Sequence, residues 1–136
     1  MIGKALLTLT ALIYAVLPPI VDFNASHAVH PDWTGHARVH MVGLVGATSF
    51  VGLFAIDQIW MRADRGGPVI AGILSAIVLG SFFLAALTMP LYDGALVDPG
   101  GVEVAPGGID ANLFLFSIGF AINAVGLFLA ARSKAS

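Results

Sequence analysis

The sequence predicts an all-α integral membrane protein, a bundle of four transmembrane helices. Hydrophobic residues make up 58% of the 136 residues and charged residues only 10%, and the mean hydropathy is +0.94. Soluble domains are only about 45–50% apolar and about 25% charged. Four apolar stretches each approach the roughly 20 residues that cross a hydrocarbon core. A chain of this length has room for one domain.

The apolar stretches run over 5–21, 39–60, 68–91 and 113–131. Polar segments 22–38 and 92–112 separate the first from the second and the third from the fourth. Proline cannot donate a backbone hydrogen bond, so the first helix is expected to end near Pro18 and Pro19. No small-x-small cleavage site follows these prolines, so we interpret the first stretch as a helix and not as a signal peptide. Asp32 or Thr34 is expected to cap the second helix.

The distribution of cations predicts an orientation. Five of the six Lys and Arg residues fall on one side of a four-helix topology, namely Lys4, Arg62, Arg65, Arg132 and Lys134. Cytoplasmic loops are enriched in Lys and Arg, so both termini are expected in the cytoplasm (N-in/C-in). The two polar loops are then periplasmic, lumenal or extracellular. A net charge of −2 provides no basic surface for nucleic acid.

The first polar loop carries the residues that could do chemistry. All four histidines lie in it or just after it: His27, His30, His36 and His40. Imidazole titrates near neutrality and is the commonest metal ligand. The chain has no cysteine, so nitrogen and oxygen donors would favour a divalent zinc, iron, copper or manganese ion. The four histidines are therefore candidate metal ligands.

His36 and His40 lie one helical turn apart, on a face that continues with Gly43 and Ala47. Small residues let helices approach closely in lipid, so this face is expected to point into the bundle. Zinc hydrolases carry a glutamate after the first histidine of such a pair, and this chain has Ala37 there. The pair therefore does not predict that hydrolysis mechanism. Because of their spacing, His36 and His40 are still expected to be inward metal ligands or an acid–base pair.

A second interpretation needs no metal. Histidine together with aspartate can move protons on a lipid-like substrate, which makes Asp22 a third candidate catalytic residue beside His36 and His40. Arg38 would bind an anionic head group. The further candidate ligand-binding residues are Trp33, Asn24 and Tyr92. The Gly/Pro-rich segment 92–112, with a hairpin near Pro99, is expected to be either a lid over the site or a solvated connector.

A third interpretation of the loop is structural, with hydrogen bonds that lock the corner between the first two helices. The pattern does not match membrane di-iron oxygenases, because those carry several histidine boxes and this chain has one histidine cluster. It also does not match a haem held by two histidines on facing helices, because the other apolar stretches contain no histidine. Elsewhere, Asn123 is expected to form an interhelical hydrogen bond. Asp57 is expected to pair with Arg62 or with a helix-end group, and it lies too far from His40 to share its site.

The segment Trp33-Thr-Gly-His36-Ala-Arg-Val-His40 resembles a signature of small four-helix membrane proteins without an assigned function. The resemblance implies a shared site and no particular reaction or ligand. Its residues here are Asp22, Asn24, His27, His30, Trp33, His36, Arg38 and His40.

The resulting expectation is a membrane-embedded enzyme or binding protein for a hydrophobic small molecule or lipid. It would use the His/Asp/Arg cluster at the outer membrane face, with or without a bound divalent metal. The alternative is an accessory subunit of a larger membrane complex. A homo-oligomer is also an expected assembly, because four short helices enclose little volume. A transporter is less favoured, since only Asn123 places a strongly polar side chain near the membrane midplane.

Overall fold

A computed structural model describes residues 1–25, 27–97 and 105–134, and these residues form helices and connecting turns without strands. The four long helices are α1 (Ile2–Val21), α2 (Gly35–Met61), α3 (Gly67–Thr88) and α4 (Ala111–Lys134). Each is long and apolar enough to cross a membrane. The predicted all-helical membrane fold is confirmed at this level.

Helix α1 does not end at its prolines. It continues through Pro18 and Pro19 to Val21. Pro19 has no N–H group for the carbonyl of Ala15, one helical turn earlier. The Ser49 hydroxyl of α2 donates a hydrogen bond of 2.9 Å to that carbonyl. A neighbouring helix thus satisfies the group that proline leaves without a donor, which is how membrane helices tolerate proline.

Helices adjacent in sequence pack against each other, α1 also packs against α4, and α1 contacts α3 across the bundle. The diagonal contact includes a buried 3.1 Å hydrogen bond between the Tyr14 and Ser75 hydroxyls. Close approach of α1 and α2 depends on Gly52, because a Cβ there would clash with Ala15. The apolar core is built from all four helices: Leu7, Ala11, Ala55, Ile59, Ala71, Leu79 and Ala130.

Two polar predictions within the helices are confirmed. The Asn123 Nδ2 group donates a 2.9 Å hydrogen bond to the Gly72 carbonyl, which joins α4 to α3. Arg62 Nε lies 3.9 Å from Asp57 Oδ2, and both side chains are largely exposed. The first contact is buried and holds two helices together, whereas the second is a weak surface ion pair.

Candidate functional site

The loop between α1 and α2 is closed by its own polar groups. The Asn24 side chain donates a 2.7 Å hydrogen bond to the Val21 carbonyl at the end of α1. The Asp22 carbonyl accepts from the Ala28 N–H at 2.9 Å. The Thr34 hydroxyl accepts from the Ala37 N–H at 3.2 Å, so Thr34, and not Asp32, caps α2. The corner between the helices is therefore a folded turn.

Arg38 links α2 to this loop. Its Nη2 donates to the His30 carbonyl at 2.7 Å and lies 3.4 Å from the Pro31 carbonyl. Its Nε is buried without a partner in the described part of the chain. Arg38 was predicted to bind an anionic head group, and the structure gives its guanidinium a contact to the loop backbone.

His36 and His40 contact each other. Their Nε2 atoms are 3.0 Å apart, and their rings meet edge to face at 84°. The prediction that their face points into the bundle is wrong, because His36, His40, Gly43 and Ala47 are all exposed. A Cβ added at Gly43 would meet nothing within 4 Å.

The physical reason is that α2 packs through a different face. Gly52, Ala55 and Ile59 are buried, and Ser49 contacts α1. These residues follow one another at three and four positions, so they form one stripe on the helix. Glycine is needed for contact at Gly52, where α1 lies against the backbone. The small residues beside the histidines face outward.

His27 and His30 lie apart from the His36–His40 pair. The His30 ring stacks on Trp33 with centroids 6.0 Å apart, and its Nδ1 accepts from the Asp32 N–H at 3.1 Å. His27 is half-buried near Asp22. No three His, Asp or Glu side chains in the described residues are grouped so that they could hold a metal ion. The four predicted metal ligands His27, His30, His36 and His40 are therefore not assembled within one chain.

Three predicted site residues do share a surface. Trp33, His40 and Tyr92 line an open groove of about 830 Å³. The other lining residues are Asp32, Thr34, Ala37, Met41 and Leu44. The Tyr92 hydroxyl donates to the Ala85 carbonyl at 2.7 Å, which fixes the ring at the end of α3. The groove thus combines two aromatic rings, an imidazole and a carboxylate.

Asp22 lines a second and mostly apolar cavity of about 260 Å³ between the helices. Met41 and Leu44 line both this cavity and the groove, so the two spaces adjoin across α2. Partial burial raises the pKa of the Asp22 carboxyl, and the nearby His27 opposes part of that rise. The cavity walls come from all four helices: Tyr14, Pro18, Val45, Thr48, Val78, Ser81, Phe82, Ala85 and Phe116.

Met41, Leu44 and Thr48 also line these spaces and were not predicted from the sequence. With Val45 they recur every three or four residues on α2, beside the histidine face. That period was visible but was indistinguishable from an ordinary lipid-facing or packing surface. The predicted hairpin near Pro99, and with it the centre of the predicted lid, lies outside the described residues.

Comparison of the chain with protein-family models, curated proteins and solved structures finds no match.

Proposed function

We propose that this chain is a membrane-embedded protein that binds a hydrophobic small molecule or lipid. The polar group of the ligand lies in the groove beside Trp33, His40 and Tyr92. Its apolar part lies in the cavity between the helices. The site is on the membrane face that carries the loop between α1 and α2.

The observation that supports this proposal is the adjacency of a polar groove and an apolar cavity. Met41 and Leu44 border both, so one amphipathic molecule can contact both spaces past a wall of two flexible side chains. Small-molecule sites are typically apolar spaces with a few polar groups that orient the ligand. Trp and Tyr rings favour the boundary between lipid and water, as a ligand that bridges the two would require.

The proposed orientation keeps both termini in the cytoplasm. Lys4 lies over the Trp60 ring at 5.3 Å, which brings the start of α1 to the end of α2. Arg62 follows α2 directly, and Arg132 lies in the last turn of α4. These cations occupy the end of the bundle opposite the groove, in agreement with the positive-inside rule.

Tryptophan fluorescence provides a direct test. The chain has two tryptophans: Trp33 lines the groove, and Trp60 lies near Thr8, to which it donates a 3.1 Å hydrogen bond. The Trp60→Phe variant, in lipid nanodiscs, reports on the groove alone and is titrated with a fatty acid brominated along its chain. We expect saturable quenching of Trp33. The Trp33→Phe variant, which reports on the other end, measures simple partition into the bilayer and should show no saturation.

Two matched substitutions on α2 localise the ligand, each made with Trp60→Phe. Val45→Phe adds a large side chain to the cavity wall. We expect it to weaken ligand binding about tenfold, because the ring takes up space that the apolar part of the ligand needs. Val42→Phe, on the exposed side of the same helix, should leave affinity unchanged. Equal quenching of Trp33 and Trp60 would contradict the proposal. Equal ligand affinities of the Val45→Phe and Val42→Phe variants would also contradict it. Binding that appears only with a co-purifying protein would favour the accessory-subunit alternative.

Asp22 favours a second candidate function, proton transfer to or from the bound molecule. Asp22 lines the cavity, and burial raises the pKa of its carboxyl, as is typical of carboxyls that transfer protons in active sites. Asp22→Asn should then abolish turnover of a substrate while leaving the quenching titration intact. If Asp22→Asn instead removes binding, Asp22 contributes to affinity and the catalytic proposal fails.

A further inference from the structure

The His36–His40 pair has the geometry of half a metal site. Zinc–imidazole bonds are about 2.0–2.1 Å long. At that length, two nitrogens 3.0 Å apart subtend an angle of about 94° at the ion, near the right angle of tetragonal copper(II) or nickel(II) sites. A tetrahedral ion would need the nitrogens about 3.3 Å apart, a small opening of two exposed side chains. Either ion takes two further strong ligands.

The described part of the chain supplies no third or fourth ligand there, since it holds no group of three His, Asp or Glu. His30 is engaged through Nδ1 with the Asp32 N–H. Arg38 is two residues from each histidine and so does not share their helix face, and its guanidinium contacts the His30 carbonyl of the loop. The two missing ligands must therefore come from outside these residues.

The surface below the pair is suited to a second copy of the same chain. His36, His40, Gly43, Ala47, Phe50 and Phe54 form one exposed face, here called the α2 stripe. Glycine at position 43 is not required by packing within the chain, because an added Cβ would meet nothing within 4 Å. The pair Gly43 and Ala47, four residues apart, is the spacing that allows membrane helices to approach closely.

Membrane symmetry determines what such a neighbour presents. Copies inserted in the same orientation are related by a two-fold axis along the membrane normal, so equivalent residues lie at equal depth. Contact along the α2 stripe therefore brings the same histidine pair of the second copy to the same level. We propose that two copies of this chain pair along the α2 stripe, and that His36 and His40 of both copies bind one divalent transition-metal ion.

Copper(II) is the probe that tests the metal site, independently of lipid binding. Protein purified without a metal-binding tag should bind about 0.5 Cu²⁺ per chain. The electron paramagnetic resonance spectrum should show superhyperfine splitting from four coordinated imidazole nitrogens. His36→Ala/His40→Ala should weaken binding by at least about 100-fold, since it removes every ligand. His27→Ala/His30→Ala is the matched control and should change neither stoichiometry nor spectrum.

Cross-linking tests the pairing surface. The chain has no cysteine, so Ala47→Cys introduces a single thiol on the α2 stripe. Ala124→Cys places a single thiol at an exposed position of α4 instead. We expect disulfide-linked dimers in lipid from the first variant and not from the second. Gly43→Leu, which has room within its own chain, should suppress Cu²⁺ binding about 10-fold or more by separating the copies.

Three results would overturn the proposal. One is a two-nitrogen spectrum with one ion per chain, another is loss of copper in the His27→Ala/His30→Ala control, and the third is equal cross-linking of the two cysteine variants. A chain that binds copper in this way but shows no saturable Trp33 quenching would keep the metal site and reject the lipid proposal.

Discussion

Substitution of Ser49 by alanine changes α2, but it is expected to destabilise the bundle because a backbone carbonyl of α1 loses its hydrogen bond. Ser49 donates to the Ala15 carbonyl at 2.9 Å, and Pro19 cannot provide the N–H that would otherwise reach this carbonyl. Ser49→Ala therefore leaves a carbonyl without a donor at the interface between two membrane helices.

The size of the effect follows from measured hydrogen bonds between membrane helices, about 0.6 kcal/mol on average and about 1.7 kcal/mol at most. This bond belongs near the upper value, because its loss leaves a partly buried acceptor unsatisfied. We expect a loss of about 1–1.7 kcal/mol. In a Pro19→Ala background, the backbone N–H that alanine restores at this position reaches the Ala15 carbonyl, and the loss should fall below about 0.5 kcal/mol.

The assay is a double-mutant cycle from reversible unfolding in mixed micelles, with wild type, Ser49→Ala, Pro19→Ala and the double variant. The coupling free energy between Ser49 and Pro19 should be at least about 0.5 kcal/mol. Above that value, the effects of two substitutions are no longer simply additive and the residues interact. Thr48→Ala is a useful comparison, because its hydroxyl bonds to carbonyls of its own helix. Equal losses from Ser49→Ala with and without Pro19 would refute the reasoning.

Three further predictions concern helix packing, the loop and the cavity. Gly52→Val should cost about 1–3 kcal/mol of stability, because the added side chain overpacks the contact with α1. Gly46→Ala should be neutral, because an added Cβ there meets nothing within 4 Å. Thermal unfolding in detergent measures both effects. Arg38→Ala should speed hydrogen exchange in the loop 22–34 and cost about 1.5–3 kcal/mol, whereas loss of the exposed Arg62 ion pair should cost under about 1 kcal/mol. Burial raises the pKa of Asp22, so the folded state holds that proton more tightly. Wild type should therefore gain stability relative to Asp22→Asn as the pH falls through the raised pKa, and lose that gain as the pH rises again. A pH-independent difference between the two would contradict this last prediction.

The sequence predicted the four helices because lipid requires long, continuous apolar stretches, and these are visible in composition alone. Thr34 as one of two candidate caps and the hydrogen bond of Asn123 were also predicted, since each reflects a local or general need of buried backbone and amide groups. The end of α1 at Val21 agrees with the predicted stretch 5–21, but the hydrogen bond that accommodates Pro19 was not predictable. It depends on Ser49, which lies far along the chain and approaches Ala15 only after the helices pack.

The candidate site was predicted less completely, for a related reason. Trp33, His40 and Tyr92 do line one groove, but the direction of the histidine face was wrong. Gly43 and Gly52 are both glycines within one apolar stretch, and from the sequence each indicates a close helix approach. Only packing shows that Gly52 is covered by α1 whereas Gly43 is open. The role of Met41 and Leu44 likewise depends on which helices stand on each side of them.

The length of α2 couples the histidine pair to the membrane around it. With 27 residues, α2 measures about 40 Å at 1.5 Å per residue, whereas hydrocarbon cores are near 30 Å and differ by a few ångströms between membranes. We expect part of this surplus to extend beyond the hydrocarbon at the first turns of α2, where His36 and His40 lie. In a thin bilayer both imidazoles should then stand in water, and in a thick one they should lie nearer the head groups. The same protein is thus expected to expose these two side chains differently in membranes of different thickness.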